Sequence, residues 1–279
     1  MSLKLYFAPG ACSFVPHVLL EMSGAEFEPS MVKLHKGEQN SDDYKAINPR
    51  GQVPVLVNNG QPITQIVAIV LHLDQLFPQM GFLPTEALAR AQALSTLAWM
   101  NNTVHPTFTH ILMPQKFSDQ PEVQAALKPY NTQLFRGMLG ELQALVKAAA
   151  AKGQPWLSGE RFGPLDAYSL TLARWGTIAG ITPEEHPELW AFVQKVAAEP
   201  AVARVALLLD ILRARPATTE LLRAWWAELL GTVDGENEYR LSGFVRGQRG
   251  TEQHIGTHEA GERFCLVTES TVFRTASPA

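Results

Sequence analysis

The sequence predicts a small α/β domain followed by an all-α helical bundle. Its first part alternates between short apolar strand patterns and helical patterns. Prolines and a glycine then interrupt two helical patterns between Phe77 and Pro84, as expected of a linker between domains. From Thr85 onward, apolar residues recur with helical spacing almost throughout. We therefore expect an α/β domain over residues 1–78, a linker over 79–86, a helical domain over 87–212 and an extension over 213–279.

Local signals define the elements of the α/β domain. The apolar run Leu3–Phe7 favours a strand, and the Asn-Asn-Gly sequence at 58–60 favours the turn of a hairpin. In chain order we expect a strand over Leu3–Phe7, a helix ending at residue 22, a strand around 31–34, a helix around 42–46, a hairpin turning at 58–60 and a helix over 65–77.

Five helices are expected in the second domain. Their periodicity covers residues 87–103, 122–152, 166–179, 187–199 and 202–212. Gly163 is expected to cap the third of these helices, which the chain enters at Pro164. Asp166 lies in its first turn, where a carboxylate can accept hydrogen bonds from free backbone N–H groups. We therefore interpret Asp166 as a folding residue rather than a catalytic acid.

The segment from Pro9 to Phe14 places a cysteine where a strand gives way to a helix. At a helix N-terminus, free N–H groups and the helix dipole favour negative charge, so a thiolate on Cys12 or on a ligand would be stabilised. Ser13 is the expected N-cap, and Pro16 falls in the first helical turn. The alternative is a buried Cys12 that acts as a small hydrophobic residue.

A second signal lies in residues 47–57. The Pro-Arg-Gly sequence at 49–51 is typical of a turn, and an apolar strand follows it. Pro54 stands at the start of that strand, where it cannot donate a hydrogen bond to a neighbouring strand. We therefore expect a special backbone site here, with a cis bond after Val53 that faces a ligand.

Four motifs occur in an order that resembles bacterial beta-class glutathione S-transferases. They are PGACSF at residues 9–14, NPRGQVPVL at 48–56, TVHPTF at 103–108 and FGPLDAY at 162–168. The resemblance covers roughly residues 1–207. It implies a thioredoxin-like α/β domain followed by an all-helical domain, and an enzyme that is a glutathione transferase and a homodimer.

The resemblance also implies a site and a mechanism. Glutathione, as cosubstrate, would bind along Val53 and Pro54, with its thiolate at the first helix and a small electrophile held against the helical domain. The implied catalytic residues are Cys12, Ser13 and His105. The implied glutathione contacts are Lys36, Gln52, Val53, Pro54, Gln65 and Ile66.

The sequence departs from the family pattern at two places in this site. Gln65-Ile66 stands where the family usually has an acidic residue followed by Ser or Gly, so the ammonium group of glutathione loses a charged partner. Backbone N–H groups at the start of that helix can still receive a carboxylate. Pro106 follows His105 where beta-class members carry a lysine, so a basic contact is absent there.

Two other functions stay open from the sequence. A glutathione-dependent thiol-disulfide oxidoreductase could use Cys12 alone, through a mixed disulfide. A non-catalytic binding or regulatory protein of the same fold is the other alternative, and the altered Gln65-Ile66 pair is the feature that favours it.

Composition narrows the class of protein further. The 279 residues carry a formal net charge of -4, which argues against a nucleic-acid-binding surface. The N-terminus lacks the apolar core of a signal peptide, and no apolar run approaches the roughly 18 residues of a membrane span. The two cysteines, Cys12 and Cys265, cannot form a disulfide framework. We therefore expect a cytoplasmic enzyme that binds neither nucleic acid nor membranes.

The extension after residue 212 has no assigned role. Residues 219–230 form an amphipathic segment, and strand-like pieces follow at 239–245 and 264–273. His254, His258, Glu259 and Cys265 have no spacing typical of a metal site, so we expect no metal. An accessory hairpin, a partner-binding arm and a disordered tail all remain open.

Overall fold

The α/β part of the chain is a four-stranded sheet with helices packed against it. The computed structural model describes residues 2–213, 252–257, 263–267 and 275–276. The first elements are β1 (Leu3–Phe7), α1 (Phe14–Ser23), β2 (Glu28–Met31), two 3-10 turns (Leu34–Lys36 and Glu38–Asn40), α2 (Asp42–Ile47), β3 (Val55–Asn58), β4 (Gln61–Thr64) and α3 (Ile66–Leu76).

The strand order β2-β1-β3-β4 places β1 and β3 at the centre of the sheet. β1 runs parallel to β2 through the crossover helix α1, whereas β3 is antiparallel to both β1 and β4. Leu3, Leu5 and Phe7 alternate along β1 and are all buried in the main hydrophobic core. This period of two fixes which face of the sheet the helices cover.

The strand expected around 31–34 is wrong by about three residues. β2 ends at Met31, which pairs with Phe7, the last residue of β1. In the part of the chain that the structure describes, β1 offers no further partner beyond Met31, apart from the Phe7 carbonyl, which accepts a hydrogen bond from the Val32 N–H at 2.8 Å. The apolar residues on which the strand was predicted lead instead into the 3-10 turn Leu34–Lys36.

The second part of the chain is helical. Its elements are the 3-10 turn Pro78–Met80, α4 (Ala87–Trp99), a π-helical turn (Met100–Val104), α5 (His105–Leu112), the 3-10 turn Pro114–Lys116, α6 (Pro121–Ala151), α7 (Pro164–Ile178), the 3-10 turn Pro183–Glu185, α8 (Pro187–Ala197) and α9 (Pro200–Arg213). The prediction of a single helix over 87–103 is wrong at its end, because α-helical hydrogen bonding stops at Trp99 and the π turn follows.

The start of α7 confirms the structural role of Asp166. Its side chain is fully buried and accepts hydrogen bonds from the backbone N–H of Leu157 at 2.7 Å and of Gly163 at 2.8 Å. These two bonds satisfy donors that would otherwise be buried without partners. Burial raises the pKa of Asp166 to about 6, against the opposing effect of these N–H groups, which favour the charged form.

Helix α7 is the central helix of the second part, buried from Pro164 to Gly176. It packs against α1 of the α/β part, and α9 also packs against α1. An ion pair between Arg204 and Glu21, with 3.3 Å between Nε and Oε2, links α9 to α1. The two parts therefore share one hydrophobic core.

Three short strands follow in the C-terminal region. β5 (Glu252–Thr257), β6 (Arg263–Val267) and β7 (Thr275–Ala276) form an antiparallel sheet in that order. The amphipathic segment 219–230, the strand-like piece 239–245 and the residues His258 and Glu259 lie outside the described residues. Among the helices that the structure describes, none has the length and apolar character needed to span a membrane.

Candidate active site

The turn between β1 and α1 is held by hydrogen bonds of its own. Gly10 has φ +80°, in the left-handed region that glycine tolerates, and the Ala11 N–H donates to the Ala8 carbonyl at 3.2 Å. The Ser13 hydroxyl accepts from the Ala8 N–H at 3.1 Å and donates to the Ala8 carbonyl at 3.2 Å. Ser13 is the N-cap residue of α1, as predicted, but its hydroxyl makes no capping hydrogen bond to the helix.

The hydrogen bonds of the Ser13 hydroxyl limit the catalytic role that was expected of this residue. Its side chain is 1% exposed, and a hydroxyl has a single proton to donate. That proton is directed at the Ala8 carbonyl. Ser13 therefore fixes the shape of the turn and has no donor left for a ligand in this conformation.

Cys12 lies at the junction of two segments that are distant in sequence. Its Sγ is 3.8 Å from the carbonyl oxygen of Val53, so the first turn of α1 meets the segment that precedes β3. Burial raises the pKa of the Cys12 thiol to about 12. The backbone N–H groups of Cys12 and Ser13 act in the predicted direction and lower it, but burial has the larger effect. The raised pKa argues against the expected thiolate on Cys12 itself and favours the alternative of a buried Cys12 that acts as a small hydrophobic residue.

The segment before β3 has a fixed backbone. The bond between Val53 and Pro54 is cis, as expected from the sequence. The Gln52 carbonyl accepts hydrogen bonds from the Tyr44 hydroxyl at 2.8 Å and from the Asn48 side-chain amide at 2.7 Å. The side chain of Gln52 is exposed, whereas Pro54 is buried. The backbone of this segment is thus held by hydrogen bonds from Tyr44 and Asn48, and it faces the turn that carries Cys12.

Gln65 stands at the N-terminus of α3 in an unusual conformation. Its φ of 73° lies in the left-handed region, which costs a residue other than glycine about 1–3 kcal/mol. The side chain is exposed and makes no capping hydrogen bond. Ile66, the first residue of α3, is buried in the core. Ile66 therefore offers a ligand only its backbone, and strain of this kind is typical of ligand-binding positions.

His105 is the first residue of α5, directly after the π turn. Its Nδ1 is 2.9 Å from the hydroxyl of the buried Tyr168, and its ring meets the Trp175 ring edge to face at 4.7 Å between centroids. Burial, with a smaller contribution from the nearby Lys116 charge, lowers the pKa of His105 to about 4. His105 is therefore a neutral imidazole near pH 7.

Helix α7 reaches across to the turn that carries Cys12. The Trp175 indole Nε1 donates to the Gly10 carbonyl at 3.0 Å, and the Arg174 guanidinium donates to the same oxygen. Trp175 also stacks on Phe108 of α5, with 4.7 Å between ring centroids. The helical part thus fixes the position of the turn from outside the α/β part.

Lys36 stands apart from the other predicted site residues. It is exposed at the end of the 3-10 turn Leu34–Lys36, and its backbone N–H donates to the Lys33 carbonyl at 2.9 Å, but within the described residues its side chain has no hydrogen bond or ion pair. The structure brings Cys12, Ser13 and Val53 together directly, and it links His105 to the same turn through Trp175.

Three residues of this site were not found from the sequence. Tyr168 lies inside the FGPLDAY motif, but nothing in the sequence indicated that its hydroxyl would contact His105 across 63 residues. Arg174 and Trp175 have no sequence signal of their own, because their partner is a backbone carbonyl 164 and 165 residues away.

Fold and site together define a two-domain enzyme, in which a thioredoxin-like domain with a helix N-terminus at its site precedes a helical domain. Two family models match the chain: "Glutathione S-transferase, N-terminal domain" over residues 1–75 and "Glutathione S-transferase, C-terminal domain" over 100–200. A third, "Rcc01698-like, C-terminal", matches residues 195–265. The chain belongs to the glutathione S-transferase family.

Individual relatives agree with this assignment. Glutathione S-transferase GstA of Escherichia coli is 33% identical over 204 residues, which is 72% of this chain and 95% of that protein. Protein LigF of Sphingobium sp. is 31% identical, over 72% of this chain and 92% of that protein. A glutathione transferase homologue from Sulfitobacter, solved with bound glutathione, has a TM-score of 0.68 at 25% identity and covers 73% of this chain and 96% of its own.

These comparisons confirm the predicted thioredoxin-like and helical domains and the prediction of a glutathione transferase enzyme. They leave the particular reaction and the individual site residues as proposals.

Proposed function

We propose that this chain conjugates the thiolate of glutathione to small hydrophobic electrophiles. The observation that carries the proposal is the 3.8 Å contact between Cys12 Sγ and the Val53 carbonyl. This contact places a helix N-terminus, which favours an anionic sulfur, beside the segment that precedes β3, whose backbone at Val53 can pair with an extended peptide. A γ-glutamyl tripeptide with a thiol at its centre has the matching shape and chemistry.

Glutathione would lie along the backbone of Val53 and Pro54. Its γ-glutamyl end would meet the N-terminus of α3, where the backbone N–H groups of the first turn favour a carboxylate. Gln65 would face the ammonium group with a neutral acceptor, and Ile66 would contribute its amide alone. Lys36 would face the glycine carboxylate. Because charge-assisted hydrogen bonds are roughly twice as strong as neutral ones, we expect weaker binding than an acidic residue at position 65 would give.

The thiol of glutathione would be ionised at the first turn of α1. Backbone N–H groups and the His105 side chain would stabilise the thiolate, while the buried Cys12 would pack beside it as a neutral thiol. The sulfur would then form a bond to the electrophilic carbon as the leaving group departs with its electron pair. Leu112 and Phe117, which are exposed apolar residues at and after the end of α5, would contact the electrophile.

Three measurements test this proposal against its alternatives. Binding to immobilised glutathione, followed by turnover of an aromatic halide, would support conjugation. Turnover of a glutathione mixed disulfide alone would favour the oxidoreductase, which the raised pKa of Cys12 argues against. Binding without either activity would favour the non-catalytic function. A Cys12→Ala variant is the matched control, because conjugation should survive this substitution and thiol exchange should not.

We also infer a homodimer, as for other members of the family. Exposed apolar side chains on the helical part support this inference, namely Leu88 on α4 and Tyr130 and Leu134 on α6. Light scattering coupled to size-exclusion chromatography measures the mass, and a single-chain mass at micromolar concentration would contradict it.

A further inference from the structure

The strongest unused feature of the site is the buried pair formed by Tyr168 and His105. Tyr168 is fully buried in α7, and its hydroxyl lies 2.9 Å from Nδ1 of His105. Among the described residues, this ring nitrogen is the one hydrogen-bond partner of the hydroxyl. The two side chains come from different helices, α7 and α5, so the contact depends on how the helical part packs.

The protonation of both groups follows from their surroundings. Burial raises the pKa of Tyr168 well above 10, so its hydroxyl keeps the proton at neutral pH. Burial and the Lys116 charge hold the pKa of His105 at about 4, so its ring is neutral. A neutral imidazole has one N–H donor and one nitrogen acceptor. The remaining question is which nitrogen carries the proton.

The hydrogen bond from the Tyr168 hydroxyl determines which ring nitrogen of His105 carries the proton. A buried hydroxyl proton needs an acceptor, because leaving it unpaired costs about 1–3 kcal/mol. For Tyr168 that acceptor is Nδ1 of His105. If Nδ1 accepts, it has no proton, and the ring proton must lie on Nε2.

The proton on Nε2 has a functional consequence because of where the His105 ring lies. The ring is in edge-to-face contact with Trp175, whose indole holds the Gly10 carbonyl two residues before Cys12. His105 is partly exposed, and among the described residues Nε2 has no partner. Nε2 is therefore the ring atom left to meet a ligand at the Cys12 turn.

We propose that Tyr168 is a positioning residue that holds His105 with its proton on Nε2, so that this N–H is a fixed donor to the glutathione thiolate. The inference rests on the proposed function for the identity of the ligand. It makes His105 a neutral donor and excludes it as the base, because Tyr168 occupies one nitrogen and a proton occupies the other. The thiol proton of glutathione leaves to solvent.

The tautomer can be measured without any activity. In protein labelled with nitrogen-15 histidine, long-range proton–nitrogen correlation spectra distinguish the two tautomers, and a His105→Gln variant assigns the signals. We expect protonated Nε2 and unprotonated Nδ1 in the unaltered protein, and loss of this single pattern in Tyr168→Phe. A proton on Nδ1 in the unaltered protein would overturn the inference, even if Tyr168→Phe did not fold.

A second measurement tests the consequence for the thiol. Ultraviolet titration of bound glutathione gives the apparent pKa of its thiol. Loss of one hydrogen bond in Tyr168→Phe should raise this pKa by about one unit, a tenfold change. Tyr130→Phe removes an exposed hydroxyl from α6 and should cause no shift. Equal titration of all three proteins would contradict the inference.

A matched pair at position 105 separates the two ring nitrogens. The amide nitrogen of glutamine reaches the place of Nε2 and keeps a donor there, whereas that of asparagine reaches only the place of Nδ1. We expect His105→Gln to retain about tenfold more kcat/KM than His105→Asn, because one neutral hydrogen bond is at stake. Equal losses would overturn the donor role. Absence of glutathione binding in the unaltered protein would overturn the proposed function, while the tautomer measurement still decides the inference.

Discussion

His17 should make this protein lose stability in mild acid. Its side chain lies on α1, is 1% exposed, and sits between the rings of Phe7 at 4.9 Å and Phe27 at 5.6 Å. Both ring nitrogens are buried, and neither has a hydrogen-bond partner among the described residues. Burial accordingly lowers the pKa of His17 from 6.5 to about 3.

The sign and size of the effect follow from this shift. The folded state holds His17 neutral, whereas the unfolded chain binds a proton below pH 6.5. The contribution of His17 to stability is therefore present above pH 6.5 and is lost as the pH falls toward 3. At pH 4.5, two units below the unfolded value, the loss is about 2.7 kcal/mol at 1.36 kcal/mol per unit.

Urea unfolding at pH 8 and pH 4.5 measures this loss. In His17→Leu, which keeps a similar volume, the difference in unfolding free energy between the two pH values should shrink by about 2.7 kcal/mol. His35→Asn alters an exposed histidine of a 3-10 turn and should leave the difference as it is. If His17→Leu shows the pH dependence of the unaltered protein, the reasoning from burial is refuted.

Three further predictions concern the site and its support. Gln65→Glu should tighten glutathione binding about fivefold in titration calorimetry, because a charge-assisted contact replaces a neutral one and solvent screens part of the gain. Asp166→Ala should lower the unfolding free energy in urea by about 3 kcal/mol, since two backbone donors lose their acceptor. Native Cys12 should react with an alkylating reagent at pH 8 more than about a hundredfold slower than in the unfolded chain, because its raised pKa leaves little thiolate, as mass spectrometry of the labelled peptide would show.

The first two of these predictions each have a matched comparison variant. Gln61→Glu adds the same charge at an exposed position of β4 and should leave affinity nearly unchanged; equal gains in both variants would point to a general charge effect. Asp42→Ala removes an exposed carboxylate from the first turn of α2 and should cost much less than Asp166→Ala. Fast labelling of native Cys12 would show that the thiol is ionised and would favour the oxidoreductase.

The sequence predicted the parts of the fold that local patterns control. The alternation in Leu3–Phe7, the turn before β4 and the cap formed by Asp166 all depend on residues close in sequence. The end of β2 was missed because it depends on where β1 stops, which is a property of the partner strand.

The chemistry of the site was harder to predict for the same reason. The position of Cys12 at a helix N-terminus was predicted, but its raised pKa was not, because a sequence shows the dipole and does not show the burial that opposes it. The hydroxyl of Ser13 was assigned to α1, yet it bonds to Ala8 across the turn. The contact of Tyr168 with His105 depends on the packing of two helices and has no local signature.

The bonds from Arg174 and Trp175 to the Gly10 carbonyl join the two domains, and we expect them to couple the motions of the domains. Any opening of the middle of α7 must release this carbonyl, and the turn that carries Cys12 then loses its support from the helical domain. The amide of Ala11, which donates within that turn, should therefore exchange with solvent at a rate that reports the local unfolding of a helix more than 150 residues away. Substitutions in α7 that never touch a ligand can in this way alter how long the thiol site stays assembled.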